Sequence, residues 1–456
     1  MDGRGLVTLI EKALAGASQT RAIEFGPGVV HRTGGLLRRL FGDAPVLIVA
    51  DQNTDAVAGE AVRASMRDAG VELAGEPLVF PATPTLSSDY AHVEVVRERL
   101  RGLPGAVACS IASGTLNDIT KLASGELGRE YVNVCTAASV DGYSASGATI
   151  TRDGFKISRA CPAPVGLVAD TDIMAAAPAR LSATGYGDLI EKITAGADWI
   201  LADALGIEPI DPEVWELCQG PLRAALAQPE RVAAGDLDAI AKLAECNILS
   251  GLAMQAYGSS RPASGAGHQF SHTWEMEGHG QAWEPPLSHG FKVGVGTVAV
   301  SRLWEEVFRL DLEHLDADAI VAGAPTAADV EAEVRALLSG PMLTPALETS
   351  LAKRVDGERL RERVLRAQRV WPQVRTRLEA QLLPAAVVAD MLAKAGAPAR
   401  PEQIEITPDH LRRTYFTAQL IRSRYTVLDL LADLGLLGMV VGRLFQADAQ
   451  VPARSD

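Results

Sequence analysis

The first 170 residues repeat one pattern, a short apolar run followed by a helical stretch, and this restricts the fold more than any other feature. The runs are PVLIVAD (45–51), EPLVFPA (76–82), GAVACSIA (105–112), EYVNVCTAAS (130–139) and VGLVAD (165–170). Helical periodicity fills several gaps, as in TDAVAGEAVRASMRDAG (54–70) and SSDYAHVEVVRERLRG (87–102). Apolar runs without polar alternation suit strands covered on both faces, and strands separated by helices pair in parallel. An α/β domain is therefore expected over 1–178. SGATITRDGFKIS (146–158) alternates instead, and Arg152-Asp153-Gly154 at its centre predicts a β-hairpin at the sheet's edge.

Strand signals stop after about residue 178. DLIEKITAGADWILADAL (188–205), DLDAIAKLAECNILSGLAMQAYG (236–258) and RLRERVLRAQRVWPQVRTRLEAQLL (359–383) read as long helices. A second, all-helical domain is expected over 179–456, with the cleft between the two as the default site. A chain of 456 residues is too long for one ordinary core. Val451 to Asp456 are expected to fray.

The net charge of −14 argues against a broad nucleic-acid or anionic-membrane surface, while leaving room for a local cluster that binds a small anion. No run reaches the roughly 18 uncharged apolar residues of a membrane span. LLADLGLLGMVVGRLF (430–445) comes nearest, but it is short and carries Asp433 and Arg443, so it reads as a buried helix. The N-terminus has no apolar run of signal length. Cys109, Cys135, Cys161, Cys218 and Cys246 are odd in number and form no CxxC pair, which suggests reduced thiols in a cytoplasmic protein.

Four of the eight histidines, His268, His272, His279 and His289, fall within 22 residues. His268 and His272 share one face of a helix, and His289 opens the next helical stretch. Asp188 in GYGDLIEK follows two glycines and reads as the start of a helix, where it could simply cap the N-terminus. Together Asp188, His268 and His289 form a set suited to a divalent metal with open positions. The bland alternative is a capping Asp and two core histidines.

SIASGTLNDITKLAS (110–124) places a small-residue turn between a strand and a helix N-terminus, where backbone N–H groups can hold a phosphate. A tight turn without a ligand needs the same residues. TAASVDGYSASG (136–147) gathers hydroxyls around Asp141 at the next strand's C-terminal end, the usual ligand edge of open α/β sheets.

SGTLNDITK, TAASVDGYSASG, TGYGDLIEK, SGLAMQAYGSSRPASGAGHQFSH, HGFKVGVGT and RSRYTVLDLL occur in order between about residues 21 and 436, and they resemble the glycerol-1-phosphate dehydrogenases. The bacterial AraM-type branch is nearest, within the superfamily of iron-containing alcohol dehydrogenases and dehydroquinate synthase. The resemblance implies a Rossmann-like N-terminal domain and a helical C-terminal domain around a metal. It implies NAD(P)-linked interconversion of sn-glycerol 1-phosphate and dihydroxyacetone phosphate, or of a related polyol. Carried over by motif, Asp188, His268 and His289 hold the metal. Zinc and nickel are favoured, and iron also suits the set. Asp141 and His272 contact substrate or relay its proton. Ala112, Ser113, Gly114, Thr115 and Leu116 hold the cofactor pyrophosphate, Thr136 and Ser139 line the nicotinamide side, and Asp51 faces the adenine ribose. A homo-oligomer is implied too. Lys156, Lys192, Arg261 and Lys292 are candidates for the substrate phosphate, and Lys121 could orient the cofactor loop.

The chain departs from the family at three points. Ala112 puts a methyl in a turn that is usually glycine. Gly267 replaces a Glu just before the first metal histidine, giving GHQFSH a dehydroquinate-synthase look. Ala145 stands where a Ser is common. A cyclase using NAD transiently, and a binding protein that keeps the fold without catalysis, are the alternatives these departures raise.

Overall fold

The computed structural model describes residues 3–152 and 155–449. Among them, every strand lies between Ala22 and Arg159 or in the run that ends at Asp170, and helices follow from Thr171 onward. Six parallel strands form the main sheet: β1 (Ala22–Gly26), β2 (Val46–Asp51), β3 (Leu78–Phe80), β4 (Val107–Ala112), β5 (Tyr131–Cys135) and β8 (Gly166–Asp170). Their spatial order is β1-β8-β5-β4-β2-β3. β5 and β8 are buried throughout, and helices cover both faces with two apolar clusters.

The order reverses between β2 and β4. The chain leaves β2 toward β3 on one side and leaves β4 toward β5 on the other. A ligand crevice forms at such a switch point, beyond the strands' C-terminal ends. Asp51 and Ala112 are the last residues of the two strands that flank it.

β1 has no counterpart among the predicted runs. It is five residues long, half-buried, and carries Glu24, so it lacks the apolar signature of the central strands. The hairpin strands β6 (Ala148–Arg152) and β7 (Phe155–Arg159) do form, but away from the expected place. They make a separate ribbon, joined to the α/β unit by an isolated bridge between Asp89 and Thr151, and β7 leans on helix Ala266–Met276. The ribbon's alternating pattern gives it one face to bury, and it buries that face on helices instead of on a strand partner. Asp153 and Gly154 of the expected turn, and Val451 to Asp456, lie outside the described residues.

Two predicted helices are each broken in two. The stretch 188–205 divides at Glu191 into helices Ala179–Ile190 and Lys192–Ala204. The stretch 430–445 divides into Val427–Asp433 and Leu437–Ala449, with the chain reversing at Gly435 (φ 68°). The predicted helix over 359–383 is continuous as Gly357–Gln381. The first helix, Gly3–Gly16, packs on the buried helix Leu237–Tyr257, and Gln255 Oε1 accepts from the N–H groups of Gln19 and Thr20. Residues 3–20 therefore lie against the helical layer.

A candidate metal centre where the sheet meets the helices

Asp188 is fully buried near the C-terminal end of helix Ala179–Ile190. It is not the N-terminal cap its sequence context suggested. Pro178 sets the start of that helix, and the two glycines before Asp188 lie inside it: the bare backbone of Gly185 admits the loop at Ala138 and Ser139, and that of Gly187 lets another helix come close. That helix is His289–Val307: a Cβ on Gly290 would lie 1.9 Å from Thr184 O. The contact brings His289, the first residue of its helix, beside Asp188. His268 comes from helix Ala266–Met276, which packs along His289–Val307.

Asp188 Oδ2 accepts a hydrogen bond from the Asp141 N–H at 3.0 Å. Its Oδ1 is buried and makes no hydrogen bond. This oxygen lies 3.2 Å from His268 Nε2 and 3.9 Å from His289 Nε2. One ligand atom from each of the three residues lies within 4.8 Å of the others. Ligands about 2.1 Å from a tetrahedral ion are roughly 3.4 Å apart, so these separations suit a divalent cation.

The opposite imidazole nitrogens are tied to carboxylates. His268 Nδ1 is 2.8 Å from Glu191 Oε2. His289 Nδ1 is 3.1 Å from Glu275 Oε1 and 3.3 Å from Ser271 Oγ. A carboxylate at Nδ1 keeps the proton there and leaves the Nε2 lone pair for a metal. A buried carboxylate oxygen without a hydrogen bond, facing two such nitrogens, is the donor set a divalent cation fits. By protein charges alone, burial works against protonation of His268, while Glu191 and Asp188 carry its pKa up to about 9. Burial likewise opposes ionisation of Asp188, but Lys192 and the two histidines hold its carboxyl well below the usual range.

His272 lies beside this set without joining it. Its ring centroid is 6.0 Å from that of His268 and 5.8 Å from that of His289. Burial pushes its pKa down to about 3, against the pull of Glu275, so the ring is neutral. Glu275 is the residue the sequence reading missed. It is fully buried, with Lys156 Nζ at 3.1 Å and Lys292 Nζ at 3.5 Å, as well as His289. Burial opposes its charge, but Lys156, His289 and Lys292 keep it ionised. Positions 268, 272 and 275 share a helix face, a spacing that could have flagged Glu275.

The four basic candidates separate. Lys156 and Lys292 stand at Glu275, beside the histidines. Lys192 turns inward: it is fully buried, 2.7 Å from Asp141 Oδ2 and 3.6 Å from Asp188 Oδ1, and donates to Asp188 O. Arg261 is buried as well, donating to Tyr425 O at 2.9 Å and facing Glu208. Lys192 is matched by two carboxylates and Arg261 by one, so neither leaves positive charge over for a phosphate. Asp141 is correspondingly turned to Lys192, with Ser250 Oγ at 3.3 Å from the same oxygen.

On the sheet side, Ser113, Gly114 and Thr115 begin helix Gly114–Glu126, with no side chain capping its N-terminus. Ala112 is fully buried in the apolar cluster with Leu116 and Ile119, so its methyl fills core and leaves the turn clear. Thr136 follows β5, and its N–H donates to Ala112 O. The Ser139 N–H donates to the Tyr143 hydroxyl, and Ser139 Oγ lies 2.7 Å from it. Asp51 Oδ1 caps the next helical turn through the N–H groups of Asn53 and Thr54. Lys121 is buried and donates to Gly142 O and Gly147 O, tethering the loop after Asp141 to the helix that starts at Gly114. Ala145 packs on Met254 and Ala263. All five cysteines are free thiols.

The model of the iron-containing alcohol dehydrogenase family matches residues 24–178. A glycerol-1-phosphate dehydrogenase [NAD(P)+] of Halalkalibacterium halodurans is 36% identical over 293 residues, 64% of this chain and 71% of that protein. One from Pyrococcus abyssi is 31% identical over 338 residues, 73% of this chain and 93% of its own length. Among solved structures, glycerol dehydrogenase from Schizosaccharomyces pombe superposes with a TM-score of 0.57 at 15% identity, covering 95% of this chain and 94% of that one. The NADH-dependent butanol dehydrogenase A of Thermotoga maritima gives 0.56 at 15% identity, covering 93% and 96%. At these identities the structural likeness bears on the fold alone.

Proposed function

Because the chain belongs to the glycerol-1-phosphate dehydrogenases, we propose that it catalyses the NAD(P)-linked interconversion of sn-glycerol 1-phosphate and dihydroxyacetone phosphate at Asp188, His268 and His289. The observation that carries this reading is the buried, unbonded Oδ1 of Asp188 facing two histidine Nε2 atoms. When bound, a divalent ion supplies Lewis-acid polarisation of the substrate's oxygen and a nicotinamide supplies the hydride.

The chain's own groups do the rest. Lys192 balances the carboxylates of Asp141 and Asp188, and the Asp141 N–H holds Asp188 in one orientation. Asp141 thus acts as a support on this reading, and His272 moves the proton. Its neutral ring carries one donor and one acceptor nitrogen, so it can take a proton on one side and release one on the other. Lys156 and Lys292, which flank Glu275, receive the substrate phosphate. Two lysines against one carboxylate leave a surplus of positive charge that suits a phosphate.

The cofactor crosses the switch point between β2 and β4, with its pyrophosphate on the backbone of Ser113, Gly114 and Thr115. Asp51 at the end of β2 disfavours a 2′-phosphate, so NAD is the preferred form. The test is to load the protein with Zn2+ or Ni2+, add dihydroxyacetone phosphate, and follow NADH and NADPH absorbance. Net oxidation of cofactor, faster with NADH, is the expected result. A cyclase would turn over no net cofactor, and a silent binding protein would oxidise none.

A further inference from the structure

Glu191 is the single residue between helices Ala179–Ile190 and Lys192–Ala204, and it is fully buried. Both of its oxygens are engaged by the element that carries His268. Oε2 lies 2.8 Å from His268 Nδ1, and Oε1 accepts from the Gly265 N–H at 3.0 Å, just before helix Ala266–Met276 begins. To get there the side chain passes over residue 267. A Cβ at that position would lie 2.7 Å from Glu191 Cγ and 3.2 Å from both Glu191 Oε1 and Thr297 Oγ1. Real side chains essentially never approach that closely, so a side chain at 267 and the Glu191 carboxylate exclude each other.

We infer that Glu191 and Gly267 act as one device: Glu191 is the positioning residue that orients His268 for metal ligation, and the bare backbone of Gly267 is what admits it. The inference rests on the reading that Asp188, His268 and His289 hold the ion. An imidazole ligates through Nε2 only when its proton stays on Nδ1, and the Glu191 carboxylate accepts that proton's hydrogen bond. The same carboxylate pins the start of the His268 helix through Gly265. Asp188 and Glu191 are three residues apart in sequence, so the group that ligates and the group that orients its partner come from one stretch of chain. The distance from Asp188 to His268 is thereby fixed through a single side chain.

The test uses the full-length protein and Zn2+, with affinity measured by competition against a chromogenic chelator. Glu191→Ala and Gly267→Ala should each weaken Zn2+ binding by about 10–100-fold, the usual effect of removing a carboxylate behind a metal-bound histidine. The double variant should bind no more weakly than Glu191→Ala alone, because the added methyl acts only by displacing the carboxylate. Penalties that multiply in the double variant, or wild-type affinity in either single variant, overturn the inference. If Glu191→Ala does not fold, Glu191→Gln replaces it. Gln keeps the volume but has one acceptor oxygen for two donors, so it too should lose affinity, and wild-type affinity in this variant also overturns the proposal.

A second readout separates positioning from mere support. With Zn2+ bound, 15N-labelled histidine should report His268 protonated on Nδ1 in the wild type and a mixture of Nδ1- and Nε2-protonated rings in Glu191→Gln. A lowered unfolding midpoint with affinity and tautomer unchanged would reduce Glu191 to a helix cap and refute the assignment. Asp188→Asn is the control for the underlying reading. If it binds Zn2+ as the wild type does, the ligand set is wrong and this inference falls with it. If it loses Zn2+ while the Glu191 variants do not, this inference fails alone.

Discussion

Gly290→Ala should dismantle the metal centre without touching a ligand. The added Cβ would sit 1.9 Å from Thr184 O and 3.1 Å from Asp188 N. Ordinary contact begins near 3.4 Å, so the helices must part by about 1.5 Å (3.4 − 1.9), since both partners are helix backbone and neither can swing aside. Directed along the line between them, the same movement would stretch His289 Nε2 to Asp188 Oδ1 from 3.9 Å to at most about 5.4 Å, and a fifth of it already takes the pair to the limit for one ion. Two ligands on one ion can be at most about 4.2 Å apart, twice a bond of roughly 2.1 Å. The ion would then lose one of its three protein ligands. Zn2+ affinity should fall by more than the roughly 100-fold that outer-shell changes reach, about 2.7 kcal/mol or more. Overpacking should also lower unfolding stability by about 1–3 kcal/mol. Chelator competition and denaturant melts measure the two effects. Gly438→Ala, where a Cβ meets nothing within 4 Å, serves as the control and should leave both unchanged or slightly improve stability. A Gly290→Ala protein that binds Zn2+ within about threefold of wild type would refute the claim that helix contact sets the ligand distances.

Burial pushes Lys292 down to about 8, so its ammonium is lost as pH rises through that value. KM for dihydroxyacetone phosphate should therefore climb above about pH 8, and Lys292→Met should raise KM at pH 7 and flatten the profile. The unfolded chain keeps that proton up to about 10.5, so this group's contribution to stability rises with pH between about 8 and 10.5. Urea melts across that window should show the Lys292→Met difference shrinking. His272→Ala should lower kcat by about 10²–10⁴-fold while bound metal stays at wild-type level, measured by metal analysis of the same preparation. Unaltered turnover would remove His272 from the proton path. Lys192→Met should cost about 3–5 kcal/mol in denaturant melts, since it leaves Asp141 and Asp188 buried without their cation.

The parallel sheet was legible because its central strands are runs of Val and Ile with both faces covered, and burial writes itself directly into composition. β1 was not, because an edge strand with Glu24 in it needs no such run. Asp188, His268 and His289 could be picked out from residue type and family motif, but Asp188 read as the start of a helix and lies near the end of one. Its two preceding glycines look like a turn in sequence; in space both lie inside a helix, Gly185 against the loop at Ala138 and Gly187 against the helix that starts at His289. Glu191 was invisible for a different reason. Glu191 reaches His268 across 77 residues, and no periodicity encodes that contact. Lys192 and Arg261 looked like free cations because sequence does not show the buried acids they answer to.

The central claim is that Asp188, His268 and His289 hold the ion on which dehydrogenase turnover depends. The most direct measurement is metal content per chain in the purified wild type, Asp188→Asn and His289→Ala, taken beside NADH oxidation with dihydroxyacetone phosphate in the same samples. One divalent ion per wild-type chain is expected, with ion and turnover lost together in both variants and sn-glycerol 1-phosphate as the wild-type product. Retention of the ion in either variant, or wild-type turnover without it, would contradict the account.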